Sequence, residues 1–212
     1  SGRSTPPSLS VVQRVRAHAG AHVRARSGDD DRARGQAPAA PSGSPPARRV
    51  TRATATAAPT RLFDNGYGGL NGDGDYEMSI PPERLPPAPW VNVIANPHGG
   101  CIVSETGAGT TWAENSYFYR LTPWHNDPVS DPASDVLYLR DEATQDVWSA
   151  TPAPVFAREA FTVTHGAGFS SFATEHAGIA TLLTVGIAPD APVKLSLLSV
   201  TNRGAQPRRL SV

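Results

Sequence analysis

Residues 111–132 read TWAENSYFYRLTPWHNDPVSDP and hold the densest chemistry in the chain. Trp112 and Trp124, two of only four tryptophans, flank Tyr117 and Tyr119, with Asn115, Arg120, Asn126 and Asp127 beside them. A sugar ring presents apolar C–H faces rimmed by hydroxyls. A flat aromatic ring covers such a face, while Arg, Asn and Asp side chains sort the hydroxyls by hydrogen bonds. Trp112, Asn115, Arg120, Trp124, Asn126 and Asp127 are therefore candidate substrate-binding residues. The same aromatics in an irregular loop equally suit a local mini-core or a contact between domains, and residue type leaves all three readings open.

Other groupings are weaker. Asn71, Asp73 and Asp75 in NGDGDYEM resemble the first ligands of a calcium loop. Tyr76 then stands where that loop needs glycine, and Pro82 where it needs the bidentate glutamate, so a tight turn is expected. Asp127, Asp131, Asp135, Asp141 and Glu142 crowd many carboxylates into a short stretch. Paired carboxylates cleave glycosides only at particular separations, and both Asp-Pro pairs read as turn initiators, so structural use is expected. SETGAGT lacks the Gly-Lys-Ser/Thr ending and the following helix of a phosphate loop. Cys101, the single cysteine, sits in the apolar run CIVS and reads as a buried, inert thiol. His18 and His22 have i,i+4 spacing, but nothing nearby completes a zinc site. No catalytic residue, metal or cofactor is expected.

These residues need a frame. VNVIA and CIVS are short strand candidates joined by a turn at NPHGG. VLYLR, VWS, AREAFTVTHG, FSSFATEHAG, IATLLTVGIA and VKLSLLSVTN follow at roughly ten-residue spacing. In TVTHG and KLSLLSV, apolar and small polar residues alternate, the mark of half-buried strands. PPERLPPAPW is too proline-rich for helix or central strand and reads as an extended surface crossing ending at Trp90. The expected fold is all-β: a large antiparallel sandwich, incomplete at the C-terminus.

Composition divides the 212 residues at about position 58. Residues 1–58 carry ten arginines against Asp29, Asp30 and Asp31, about +7, and no aromatic residue. The remainder has 19 − 10 = 9 basic and 19 − 3 = 16 acidic residues, about −7. Residues 1–58 are expected to be a disordered basic tail or linker, with a transient basic helix over LSVVQRVRAHAGAHVRARS. No aromatic residues interleave with the arginines to stack on bases or enter lipid, so neither nucleic acid nor membrane is an expected partner. Residues 59–212 are expected to form the sandwich. No apolar run approaches the ~18 residues that span a bilayer. A single cysteine fits a reducing, cytoplasmic setting. The first residue is serine and the last run, RRLSV, reads as a strand, so truncation at both ends is expected, with open edges that favour aggregation.

FDNGYGGLNGDGDYEM, PPAPWVNVIANPHGG, VSETGAGTTWAENS, RLTPWHNDPVSDP and YLRDEATQDVWSATPAP occur in this order. With KLSLLSVTNRG and RRLSV, they make residues 62–212 resemble the N-terminal part of the glycoside-phosphorylase region. That region occurs in cyclic β-1,2-glucan synthases and in cellobiose- and chitobiose-phosphorylase-like proteins. LTPWHNDPVSDP and YLRDE resemble the cyclic-glucan-synthase branch most. The resemblance implies a large β-sandwich that precedes a helical linker and a catalytic (α/α) barrel. In the barrel, inorganic phosphate attacks a β-glucoside with inversion and a carboxylic acid protonates the leaving sugar. It further implies that residues 111–127 lie toward the active-site side, where Trp112, Asn115, Arg120, Thr122, Trp124, Asn126 and Asp127 match the family pattern. Tyr117, Phe118 and Tyr119 depart from it, standing where a charged or polar trio is usual. The implied role is a non-catalytic domain that supports the barrel and lines the acceptor subsite, with β-glucan or gluco-oligosaccharide, the barrel of the same parent protein and a second copy as partners. The alternatives are a freestanding carbohydrate-binding module and a purely structural interaction domain.

Overall fold

The computed structural model describes residues 10–18, 21–24, 61–156 and 158–212. Among these the regular elements are all strands: β1 (Ser10–His18), β2 (Ala21–Arg24), β3 (Gly68–Leu70), β4 (Tyr76–Ile80), β5 (Val91–Asn96), β6 (Gly99–Ser104), β7 (Gly109–Ala113), β8 (Tyr138–Asp141), β9 (Val147–Ser149), β10 (Phe161–Gly166), β11 (Phe169–His176), β12 (Ile179–Ile187), β13 (Val193–Asn202) and β14 (Arg208–Ser211). Three sheets result, in the orders β1-β13-β12-β11-β10-β4-β3, β2-β14-β8-β9 and β5-β6-β7. The all-β sandwich expected from sequence is the fold observed.

Pleating explains the core. Successive side chains on a strand face opposite ways, so one register row lies on one face. Met78, Val163, Phe172, Leu183 and Leu198 are direct partners in turn across five neighbouring strands. All five are buried, and they form an apolar row on the inner face of the large sheet. Ile94, Cys101 and Val103 of the three-stranded sheet, and Leu139, Trp148 and Leu210 of the four-stranded sheet, close over the same cluster. Burying one such side chain contributes roughly 1.5–3 kcal/mol. Polar ties cross between sheets: Asn92 Nδ2 on β5 donates to the carbonyls of Gly166 and Phe169, each at 2.9 Å, and Asn96 Nδ2 donates to those of Ala188 and Ala191 at 2.7 and 2.8 Å. The three-stranded sheet is thereby fixed against the ends of β10–β13.

The turn 71–75 forms as expected. Asn71 Oδ1 accepts the amides of Asp73 and Asp75, both at 3.0 Å, and Gly74 has a φ of 80°. Two segments differ from expectation. Ser10–His18 and Ala21–Arg24 are strands and not a helix; they pair in parallel with β13 and β14. Val11, Val12 and Val15 are β-branched, which suits a strand better than a helix, and an unpaired sheet edge supplies the missing hydrogen-bond partners. The rest of the expected disordered tail lies outside the described residues.

Candidate functional site

The cavity is built from β6 outward. Ile102 and Ser104 at the end of β6, then Ala108, Gly109 and Thr110 at the start of β7, form its floor. Ala88, Pro89 and Val91 make one wall, and residues 124–128 with Asp131 and Pro132 make the other. Its volume is about 280 Å³, close to the lower end of small-molecule sites, roughly 300–1,000 Å³. That is room for one or two sugar rings and not for a long chain.

Local sequence dictates the turn between the sheet strands of the floor. Gly107 takes φ 90°, and a Cβ there would lie 2.5 Å from Thr151. Only glycine fits, on grounds of both backbone and space. The second wall is shaped by an Asx-type turn. Asp127 Oδ1 accepts the amides of Val129 and Ser130 at 2.9 and 3.2 Å, and its Oδ2 accepts the Ser130 hydroxyl at 2.5 Å. The Asp131 amide returns to the Asp127 carbonyl at 3.0 Å. Asn126 and Asp131 adopt φ of 48° and 39°, which Asn and Asp tolerate better than other side chains.

Of the six candidate residues, three come together at this cavity: Trp124, Asn126 and Asp127. Trp124 is 40% exposed, so a large part of its ring is open. The Asn126 amide makes no hydrogen bond among the described residues and is free for a ligand. Asp127 is engaged by its own turn; the Ser130 hydroxyl first, then the Val129 and Ser130 amides, hold its carboxyl below the ordinary range. The other three candidates lie outside the cavity lining. Trp112 is 9% exposed, its ring seated against Gly100, where an added Cβ would lie 2.5 Å from ring atom Cζ2. Asn115 Oδ1 caps a turn by accepting the amides of Tyr117 and Phe118 at 2.9 and 3.0 Å. Arg120 bridges Trp112 in β-fashion and sits over the Tyr117 ring at 5.3 Å. Tyr117 and Phe118, packed edge-to-face 5.0 Å apart, are 70% and 74% exposed. Cys101 is fully buried, and burial pushes its thiol up to about 11, as an inert thiol requires.

Sequence reading did not single out His125, which lines the cavity, and weighed the SETG turn beneath it only as a phosphate loop, without its Glu105. Glu105 of that turn is 2% exposed and accepts the Trp90 amide at 2.7 Å. Burial pushes its carboxyl up to about 7 against the pull of that amide and its own, and the charge of Asp131 adds to the rise. Lys194, a buried cation on β13, donates to Asp135 at 2.6 Å and to the Thr111 hydroxyl at 2.9 Å, pinning the base of the aromatic loop. Thr122 reinforces it by accepting the Thr111 amide at 2.8 Å. No group of three or more His, Cys, Asp or Glu suited to a metal occurs among the described residues. No helix among them is long and apolar enough to cross a membrane.

Comparison with known proteins adds lineage to this geometry. The profile of the "Glycosyl hydrolase 94, supersandwich domain" family matches residues 74–212. The chain is 34% identical over 154 residues to the cyclic beta-(1,2)-glucan synthase NdvB of Rhizobium meliloti (strain 1021), an overlap of 71% of this chain and 5% of that protein. It is 26% identical over 148 residues to the N,N'-diacetylchitobiose phosphorylase of Vibrio furnissii, covering 68% of this chain and 18% of the relative. The corresponding phosphorylase of Vibrio proteolyticus is 24% identical over the same shares. This chain thus spans only a small part of the length of each relative. With the profile matching across β4 to β14 and the all-β sandwich in place, the chain belongs to the glycosyl hydrolase 94 supersandwich domain family.

Proposed function

We propose that this chain is the non-catalytic sandwich domain of a glycoside phosphorylase or cyclic β-1,2-glucan synthase-like enzyme, and that its cavity holds part of a β-glucan or gluco-oligosaccharide. The observation that carries the reading is the cavity wall. A half-open Trp124 ring and a free Asn126 amide face Ala88, Pro89 and Val91 across a space of sugar size. The aromatic ring covers a C–H face, and Asn126, His125 and the carboxylates meet hydroxyls. Within a parent protein the domain supports the (α/α) barrel, lines the acceptor subsite and pairs with a second copy, in the cytoplasm. The exposed Tyr117–Phe118 tip supports that placement, because an aromatic pair of this exposure needs a partner surface to cover it.

Calorimetric titration of the full chain with β-1,2- and β-1,4-gluco-oligosaccharides, with Trp124→Ala as control, tests the reading. The expected result is binding at micromolar to millimolar strength, about 4–8 kcal/mol, which the substitution abolishes. Binding that survives in Trp124→Ala refutes the site. Absence of binding in a folded sample assigns the chain a purely supporting role.

A further inference from the structure

The SETG turn after β6 holds both walls of the cavity. Ser104 and Thr106 donate their hydroxyls to one oxygen, Asp131 Oδ2, at 2.7 and 2.6 Å. Glu105 lies between them in sequence and takes the Trp90 amide. One turn therefore grips residues 127–132 through two hydroxyls and the end of the 81–90 segment through a buried carboxyl. The other side of Trp90 is held independently. Its carbonyl lies 3.0 Å from His165 Nε2, and His165 Nδ1 lies 2.9 Å from Ser170 Oγ. The carbonyl can only accept, so Nε2 carries the proton and Nδ1 accepts from the serine. Asn92 Nδ2 completes the chain by donating to Ser170 Oγ at 3.2 Å.

A second groove of about 300 Å³ reaches Glu105 from the far side, between Pro86, Pro87, Val129 and Phe156. It shares Ala88, Pro89, Pro128 and Asp131 with the first cavity. Those four residues form a partition, and Glu105 and Asp131 stand at its foot. Asp131 is the charge that faces Glu105. His165 lies beyond the Trp90 peptide, and Asp127 and His125 lie farther along the wall that carries Asp131. No lysine or arginine among the described residues pairs with Glu105.

We propose that Glu105 is a positioning residue for the cavity, and that its gain or loss of a proton sets how closely residues 127–132 approach the 81–90 segment. The inference rests on the reading of that cavity as a sugar site. A neutral Glu105 leaves the turn without charge beside Asp131, and the partition closed. An ionised Glu105 is opposed first by its burial, and the like charge of Asp131 adds a smaller repulsion, so ionisation favours letting water in and moving the two carboxylates apart. The wall carrying Asp131 yields, because only hydroxyls hold it to the turn, whereas Trp90 is held from both sides. Sugar affinity then falls as pH rises through the ionisation of Glu105, by no more than about tenfold per pH unit, the limit for one linked proton.

The test is a pH titration of the ¹⁵N-labelled full chain by NMR, from about pH 5.5 to about 8.5, beside Glu105→Gln. Peak dispersion reports that the variant is folded. The amides of Trp90, Val129, Ser130 and Asp131 are expected to move with one midpoint near neutrality in the parent protein and to stay still in Glu105→Gln. Movement that persists in the variant assigns the titration to His125 or His165 and overturns the inference. Movement of Trp90 alone overturns it too, because the second wall is then uncoupled. Calorimetry with a β-1,2-gluco-oligosaccharide at about pH 6 and about pH 8 is the second arm. Weaker binding at the higher pH in the parent, with equal binding in Glu105→Gln, supports the inference. Equal binding by the parent at both pH values overturns it and leaves the sugar reading intact. No binding at either pH removes the sugar reading, and the wall titration alone then decides whether Glu105 positions the partition.

Discussion

Replacing Glu105 by Gln should change how the stability of the chain depends on pH. Gln keeps the acceptor for the Trp90 amide and removes the ionisable proton. In the folded state the Glu105 carboxyl is pushed from 4.5 to about 7, chiefly by burial. A raised carboxyl means that the folded state holds its proton over a range in which the unfolded chain has released it. Stability from this group is therefore fully present below pH 4.5 and is lost as pH climbs to about 7. At ~1.4 kcal/mol per pH unit, the shift amounts to about 3 kcal/mol, a large fraction of the 5–15 kcal/mol typical of a domain. Urea unfolding followed by tryptophan fluorescence, at half-unit pH steps from about 4.5 to about 8, measures it. The expected result is that Glu105→Gln gains on the parent by about 3 kcal/mol across this range. Parallel curves for the two proteins would refute the argument, since they would mean that Glu105 ionises in the fold as easily as in the unfolded chain.

Three further outcomes follow from particular contacts. Arg208 Nε donates to the fully buried Asp141 at 2.6 Å, and an ion pair from its Nη2 joins the same oxygen; Arg208→Ala strands that carboxylate and should cost about 3–5 kcal/mol in urea unfolding, with partial recovery when Asp141→Asn is added. His176 sits between Asp146 at 2.6 Å and Glu159 at 2.9 Å. Burial lowers its pKa, but the two carboxylates outweigh burial and raise it, so its stabilisation is present below about pH 6.5 and disappears as pH rises through the folded value. Solvent screens both partners, so His176→Gln should cost about 0.5–1 kcal/mol at low pH and almost nothing at high pH; an equal cost at both would contradict the pairing. Cys101, buried and with its thiol pushed up to about 11, should resist iodoacetamide in the native chain and react only in denaturant, as mass spectrometry of the labelled protein would report.

The strands were largely legible because alternation is a local property: one face of TVTHG or IATLLTVGI must leave water whatever lies opposite. The turn at 71–75 and the proline-rich crossing were legible for the same reason, since their backbone preferences are carried by single residues. That Trp124, Asn126 and Asp127 line one cavity was legible because a short loop keeps them together. What a strand faces is not local. On β13, Lys194 and Ser196 point inward while Leu197 is 44% exposed, because Asp135 and Thr111 from distant segments satisfy the lysine. Trp112 was grouped with the sugar candidates by proximity, but the pleat of β7 turns it onto Gly100. The parallel pairing of β1 with β13 was invisible in an arginine-rich composition, since the partner lies at the other end of the chain. The same holds for Glu105, Asp131 and Trp90. In their own stretches Asp131 reads only as a turn initiator and Trp90 only as the end of a crossing, and Glu105 carries no signal; the tertiary fold alone brings carboxyl, carboxylate and amide to one turn, where burial gives them a chemistry that no short window of sequence contains.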